Sequence, residues 1–172
     1  MSESPEPPVS SAEGPTLAEA VAAHPFLQDM SASDLELLTQ CATFANFREG
    51  EWIFREDDPA NRFYLIQTGQ VALQSNIRDR GRLLIEMLGP GDVLGWSWLF
   101  PPNYWRFDAR ATTPVDALFF HGTRLRAECE SNHVFGFQLM KRMNKVIVER
   151  LQSERKRLVQ LAESGQIEVE TD

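Results

Sequence analysis

The side chains with chemistry to offer crowd into one stretch, Gly95–Ala111. It carries Trp96, Trp98 and Trp105 with Phe100, Tyr104 and Phe107, and two arginines, Arg106 and Arg110. Rings at this density suit one of two purposes. They can stack on an aromatic or apolar ligand, or they can fill a cavity and turn it into solid core. Side-chain alternation bears on where the charges go. If Phe107, Ala109 and Ala111 face an interior, then Arg106, Asp108 and Arg110 face outward together. Arg106 turns inward only if a bulge or a shorter loop flips the register.

Other chemistries find little support. A jelly-roll metalloenzyme needs clustered imidazoles and a carboxylate around an open metal position. The three histidines, His24, His121 and His133, stand far apart, and no strand carries a His-x-His pair. No nucleophile elbow, phosphate loop or cofactor glycine motif is present. Cys41 and Cys129 are too few for a disulfide framework or a four-thiolate metal site, and read as small buried hydrophobes. The expectation is a non-enzyme with no metal and no required cofactor.

Composition sets the frame that must position these residues. The chain has 172 residues, 42% hydrophobic, with a formal net charge of −8, as expected of one globular unit with a tail. No apolar run approaches the roughly 20 residues of a membrane-spanning helix, and no secretory signal opens the chain. A soluble, cytoplasmic protein without a membrane partner is expected. Residues 1–16 are rich in Pro, Ser and Glu and read as a disordered tail. From Leu17 a helical spacing begins, and Ser31 caps a second helix before Leu35, Leu37 and Leu38.

At Phe44 the period changes. Short β-rich runs follow at Trp52–Phe54, Phe63–Ile66, Val71–Leu73, Leu83–Leu88, Val93–Leu94, Asp108–Ala111 and Val115–Phe120. Turn signals separate them at Gly50, Asp57-Asp58-Pro59, Gly69, Gly81 and Gly89-Pro90-Gly91. Strands so frequent, with no helices between them, predict an antiparallel β-roll or jelly roll. The fold class is α+β, mainly β.

After Gly122 the helical period returns, in one segment over Leu125–Glu130 and a long one from Asn132 to Leu161. In the long segment Met140, Asn144, Ile147, Leu151, Glu154, Leu158 and Leu161 step alternately by four and three. That is a heptad seam with polar interruptions, Asn144 being of the kind that sets register. A helix of about 30 residues extends about 45 Å, so its distal half is expected to find a second copy. The basic stretch Arg150, Arg155, Lys156 and Arg157 is interleaved with Glu149 and Glu154 and reads as a solvated face. Residues 162–172 read as an acidic tail, too short for a helix-turn-helix, so no direct DNA contact is expected.

Four segments stand out in order: Phe47-Arg48-Glu49-Gly50-Glu51-Trp52-Ile53-Phe54, then Phe63-Tyr64-Leu65-Ile66-Gln67-Thr68-Gly69-Gln70-Val71, then Leu88-Gly89-Pro90-Gly91-Asp92-Val93-Leu94-Gly95, with Glu149-Arg150-Leu151-Gln152 in the helix. Together they resemble the cyclic-nucleotide-binding domain of the catabolite-activator type. The likeness spans residues 17–161 and implies a β-roll flanked by helices, with a C-terminal helix that pairs in a homodimer. It also implies that Gly95–Ala111 is the phosphate-binding cassette, where cAMP or cGMP would lie. The candidate ligand-binding residues are Gly95, Trp96, Ser97, Trp98, Trp105, Arg106 and Ala109, under a lid of Glu154 and Arg155. In the family's pattern a glutamate follows the glycine to hold the ribose, and an arginine holds the cyclic phosphate against backbone N–H groups. Here Trp96 stands at the glutamate's place. Counting back from Ala111-Thr112-Thr113 puts Trp105 at the arginine's place. The expectation is a regulatory or adaptor module that works through a protein partner and does not take cAMP in the usual way. The alternatives are a non-nucleotide ligand, or a cAMP or cGMP sensor with Arg106 on the phosphate.

Overall fold

The computed structural model describes residues 14–78 and 80–166. Residues 1–13 and 167–172, most of the two expected tails, lie outside the described residues. Thr16 is not part of a tail: it caps the first helix, α1 (Leu17–Ala23), in a reciprocal box with Glu19, worth about 1 kcal/mol. A one-turn 3-10 helix at Pro25–Leu27 and α2 (Ala32–Gln40) follow, the latter capped by Ser31 as its sequence predicts. The strands are β1 (Ala42–Phe47), β2 (Trp52–Phe54), β3 (Arg62–Thr68), β4 (Val71–Ile77), β5 (Gly81–Leu88), β6 (Val93–Leu94), β7 (Asp108–Ala111) and β8 (Val115–His121). A second single turn lies at Ser97–Leu99, and α3 (Gly122–Ser131) and α4 (His133–Glu163) complete the order.

The strands form two antiparallel four-stranded sheets, ordered β1-β8-β3-β6 and β2-β7-β4-β5. The expected jelly roll is present. β1 escapes the run of predicted strands because Ala42-Thr43-Phe44-Ala45-Asn46-Phe47 has little β-branched content, and its pairing with β8 overrides that. Gly69 makes the β3–β4 hairpin possible. Its φ is +85°, and an added Cβ would lie 2.1 Å from the Pro114 carbonyl oxygen, so only glycine fits.

Burial on both faces of the first sheet creates two cores. Along β3, Phe63 and Leu65 pack toward the helices while Tyr64 and Ile66 face the second sheet. Along β8, Leu118 and Phe120 do the former, Val115 and Ala117 the latter. The helical layer contributes Val21, Leu27, Leu38, Leu125, Phe135, Leu139 and Met143. The inter-sheet core holds Phe54, Val71, Leu73, Leu88, Leu94, Ala109 and Ala111. The segment Gly95–Phe107 crosses the mouth between these two cores.

Candidate functional site

The two inward tryptophans of that segment part company. Trp98, on the single turn Ser97–Leu99, is fully buried in the helical core and stacks on Phe63 at 5.4 Å. Trp105 goes the other way, into the inter-sheet core, where it lies flat on Phe54 at 3.8 Å with 9° between the planes. Gly95 is the hinge that lets it in. Its φ is +91°, and a Cβ there would sit 2.6 Å from Trp105 Cζ3. Trp96 is half-buried at the mouth, while Phe100 and Tyr104 are exposed. Asn103 ties the loop by donating from Nδ2 to the Trp98 carbonyl at 2.9 Å. Of the cassette aromatics, Trp96, Trp105 and Phe107 border one small void, while Trp98, Phe100 and Tyr104 lie away from it.

What remains of the interior between Trp105, Phe54, Leu73, Gly95, Trp96 and Ser97 is a void of about 20 Å³. That is room for one water, against roughly 300 Å³ or more for a small-molecule site.

Strand alternation runs as its sequence predicts. Ala109 and Ala111 are buried in the inter-sheet core, and Arg106 and Arg110 are exposed. Asp108 also points outward, yet only 3% of it is exposed. Its carboxylate accepts from Arg55 Nε at 3.0 Å and from the Glu56 amide at 2.9 Å, with Arg82 Nε at 3.7 Å. These arginines, with Arg110, stand over the Trp52 ring at 4.2–5.1 Å.

One arginine does enter the site, and it comes from α4. Arg150 is not on a solvated face; its side chain is 11% exposed. Nη2 donates to the Val93 carbonyl, Nε lies 3.3 Å from Glu86 Oε2, and the guanidinium sits 4.7 Å from the centre of the Trp96 ring. Burial lowers the Arg150 pKa, with Glu86 and Asp92 working against that; burial raises the Glu86 carboxyl, which Arg150 pulls back. The basic stretch yields a second contact, Arg157 Nη1 to the Ile85 carbonyl at 2.8 Å. Sequence reasoning missed Arg150 because Glu149 and Glu154 beside it suggest pairs along the helix. The signal for it was the resemblance of Glu149-Arg150-Leu151-Gln152 to the family's helix. Of the lid residues, Glu154 is half-buried near Glu86 and Arg155 is exposed.

The seam residues also divide. Asn144, Leu151 and Leu158 are exposed on α4, together with Val134, Phe137 and Val148. Met140 instead packs against the helical core, and Ile147, Glu154 and Leu161 are half-buried. The exposed apolar stripe is therefore turned by part of a turn from the spacing first read.

No three His, Cys, Asp or Glu side chains gather as a metal site among the described residues. His24 is buried; Nε2 donates to the Ile66 carbonyl at 3.0 Å and Nδ1 accepts from the Phe26 amide at 3.3 Å. Burial pushes up both thiols, Cys129 to about 11, which removes thiolate character at neutral pH. No described helix is long and apolar enough to cross a membrane.

The family model for the cyclic nucleotide-binding domain matches residues 44–132. The chain belongs to this family. Among curated proteins it is 28% identical over 109 residues to the CRP-like cAMP-activated global transcriptional regulator of Mycobacterium tuberculosis, covering 63% of this chain and 49% of that protein. It is 29% identical over 119 residues to the anaerobic regulatory protein of Bacillus subtilis, 67% of this chain and 50% of that one. The chain thus spans about half the length of these relatives. A cyclic nucleotide-binding domain from Methylobacillus flagellatus shares the fold at 18% identity, with a TM-score of 0.74 over 91% of this chain and 85% of that one.

Proposed function

We propose that this member of the family is a non-catalytic regulatory module whose nucleotide pocket is closed by its own side chains, and that it acts through protein contacts. The observation that carries this reading is the ring of Trp105. Counted along the cassette it holds the phosphate arginine's position, and it lies in the core with about 20 Å³ left beside it. Trp96 at the ribose position supports the same conclusion, since indole offers no acceptor for a hydroxyl. Arg150 supplies what a bound ligand would otherwise give: a standing tie between α4, β5, β6 and the cassette. The exposed stripe of Phe137, Asn144, Val148, Leu151 and Leu158 pairs two copies, and a protein partner reads the dimer. No DNA contact is part of this reading.

The alternative is a cAMP or cGMP sensor. In its favour, Arg106 borders the same small void; against it, the Arg106 side chain is exposed and Trp105 fills the space.

Hydrogen exchange tests the standing tie. Amides of Val93–Leu99 and Met143–Arg150 should be protected without nucleotide and unchanged by it. Arg150→Met should speed their exchange by about tenfold or more, the worth of lost charged hydrogen bonds. Protection that arises only on adding cAMP would overturn the reading.

A further inference from the structure

One set of exposed side chains on α4 steps by seven: Val134, Lys141, Val148 and Arg155. A second set, three residues further on, does the same: Phe137, Asn144, Leu151 and Leu158. These are the a and d positions of a heptad seam that runs along most of the helix. Its apolar members are 53–73% exposed, so the roll of the same chain does not cover them.

The polar members of the seam decide how a second copy lies on it. In a parallel, in-register pair Asn144 meets Asn144, and each apolar residue meets its own equal. An antiparallel pair over the same span sets Asn144 on Val148, Lys141 on Leu151 and Arg155 on Phe137. Each polar group is then buried against an apolar one, at a cost. The parallel pair is favoured. In it every seam side chain enters a hole formed by four residues of the facing helix. For Arg155 that hole is Leu151, Glu154, Arg155 and Leu158 of the second copy, and Glu154 is its one acid. Lys141 enters a hole of Phe137, Met140, Lys141 and Asn144, which has none.

Glu154 and Arg155 are both free for such a contact. Neither has an ion-pair partner within 4.0 Å among the described residues, and neighbours in sequence do not face each other on a helix. Glu154 is half-buried beside Glu86, whose carboxyl it helps burial and Asp92 to raise, against the pull of Arg150. We infer that Arg155 reaches across to Glu154 of the second copy, twice by symmetry, and that these crossed charges set the partner and the orientation of α4. The inference rests on the reading that α4 pairs two copies. Because Glu154 stands near Glu86, the contact places a cation of one copy next to the Arg150 tie of the other.

Mixing two charge variants tests this, with the dimers counted by native mass spectrometry. Arg155→Glu alone sets acid against acid in both contacts, and Glu154→Arg alone sets base against base. Each homodimer should therefore weaken about tenfold in sedimentation at low salt. Mixed together, the two variants restore both pairs, and heterodimers should exceed the statistical share. Glu149→Arg mixed with Lys156→Glu, the same changes placed off the seam, should combine at random. The double exchange Glu154→Arg/Arg155→Glu in one chain should dimerise as the wild type does, so a poorly folded single variant does not decide the matter. Random mixing of the seam variants, an equal heterodimer excess in the control pair, or a double exchange as weak as its singles overturns the crossed pair and leaves the pairing of α4 standing. A wild-type monomer at micromolar concentration removes that pairing, and the inference with it.

Discussion

At the scale of single residues, Trp105 carries the site, and its energetic weight can be measured. It is stacked on Phe54 and 1% exposed, so Trp105→Ala should cost about 3–5 kcal/mol in urea denaturation, while Arg106→Ala, on an exposed side chain, should fall within about 0.5 kcal/mol. Gly95→Ala should also destabilise, by about 2 kcal/mol or more, because it meets both a positive φ and the Trp105 ring. The period of two along Phe107, Ala109 and Ala111 sent Arg106 outward, where the structure has it. The destination of Trp98 was not legible, because the single turn Ser97–Leu99 sends that ring into the other core, and only the assembled α3 and β3 define it. Nor was the burial of Asp108, whose partners Arg55 and Arg82 arrive from other strands.

At the scale of elements, the N-terminal helices are coupled to the roll through His24. The neutral ring serves the fold with both nitrogens, donating to β3 and capping the Pro25–Leu27 turn. Burial holds its pKa below 6.5, opposed by its hydrogen bond to the Ile66 carbonyl and by Asp92. Above pH 6.5 the ring is neutral in both states and the full stability is present. As pH falls below 6.5 the unfolded chain takes up a proton that the native ring resists, so stability is lost toward the depressed native value. Urea midpoints at pH 7.5 and 5.5 should therefore fall in the wild type. His24→Gln should flatten this step; an equal step in both proteins would sink it. Element types and most bounds were readable from periodicity, with β7 and β2 matching their predicted runs. The face of α4 was not readable, since a period of 3.5 and one of 3.6 diverge along 31 residues and only packing on the roll fixes which stripe is free.

At the scale of the whole molecule, α4 is about 46 Å long, and its exposed Phe137, Val148, Leu151 and Leu158 are 53–66% accessible. A stripe of that kind is expected to be covered by a second copy. Leu151→Glu should convert a dimer to a monomer in sedimentation at micromolar concentration, with the roll still folded; a wild-type monomer at that concentration would remove the dimer. Family membership and the jelly roll followed from segments that read as strand, hairpin and glycine turn in order. The regulatory reading depends most on the proposed closing of the pocket by Trp105.

The most direct measurement is thermal unfolding of the wild-type chain over a titration of cAMP and of cGMP to millimolar concentration. A pocket filled by Trp105 predicts an unchanged midpoint with both nucleotides. A rise of several degrees, as expected for a ligand at a hundredfold over its dissociation constant, and its loss in Arg106→Ala, would contradict the account and make the chain a nucleotide sensor.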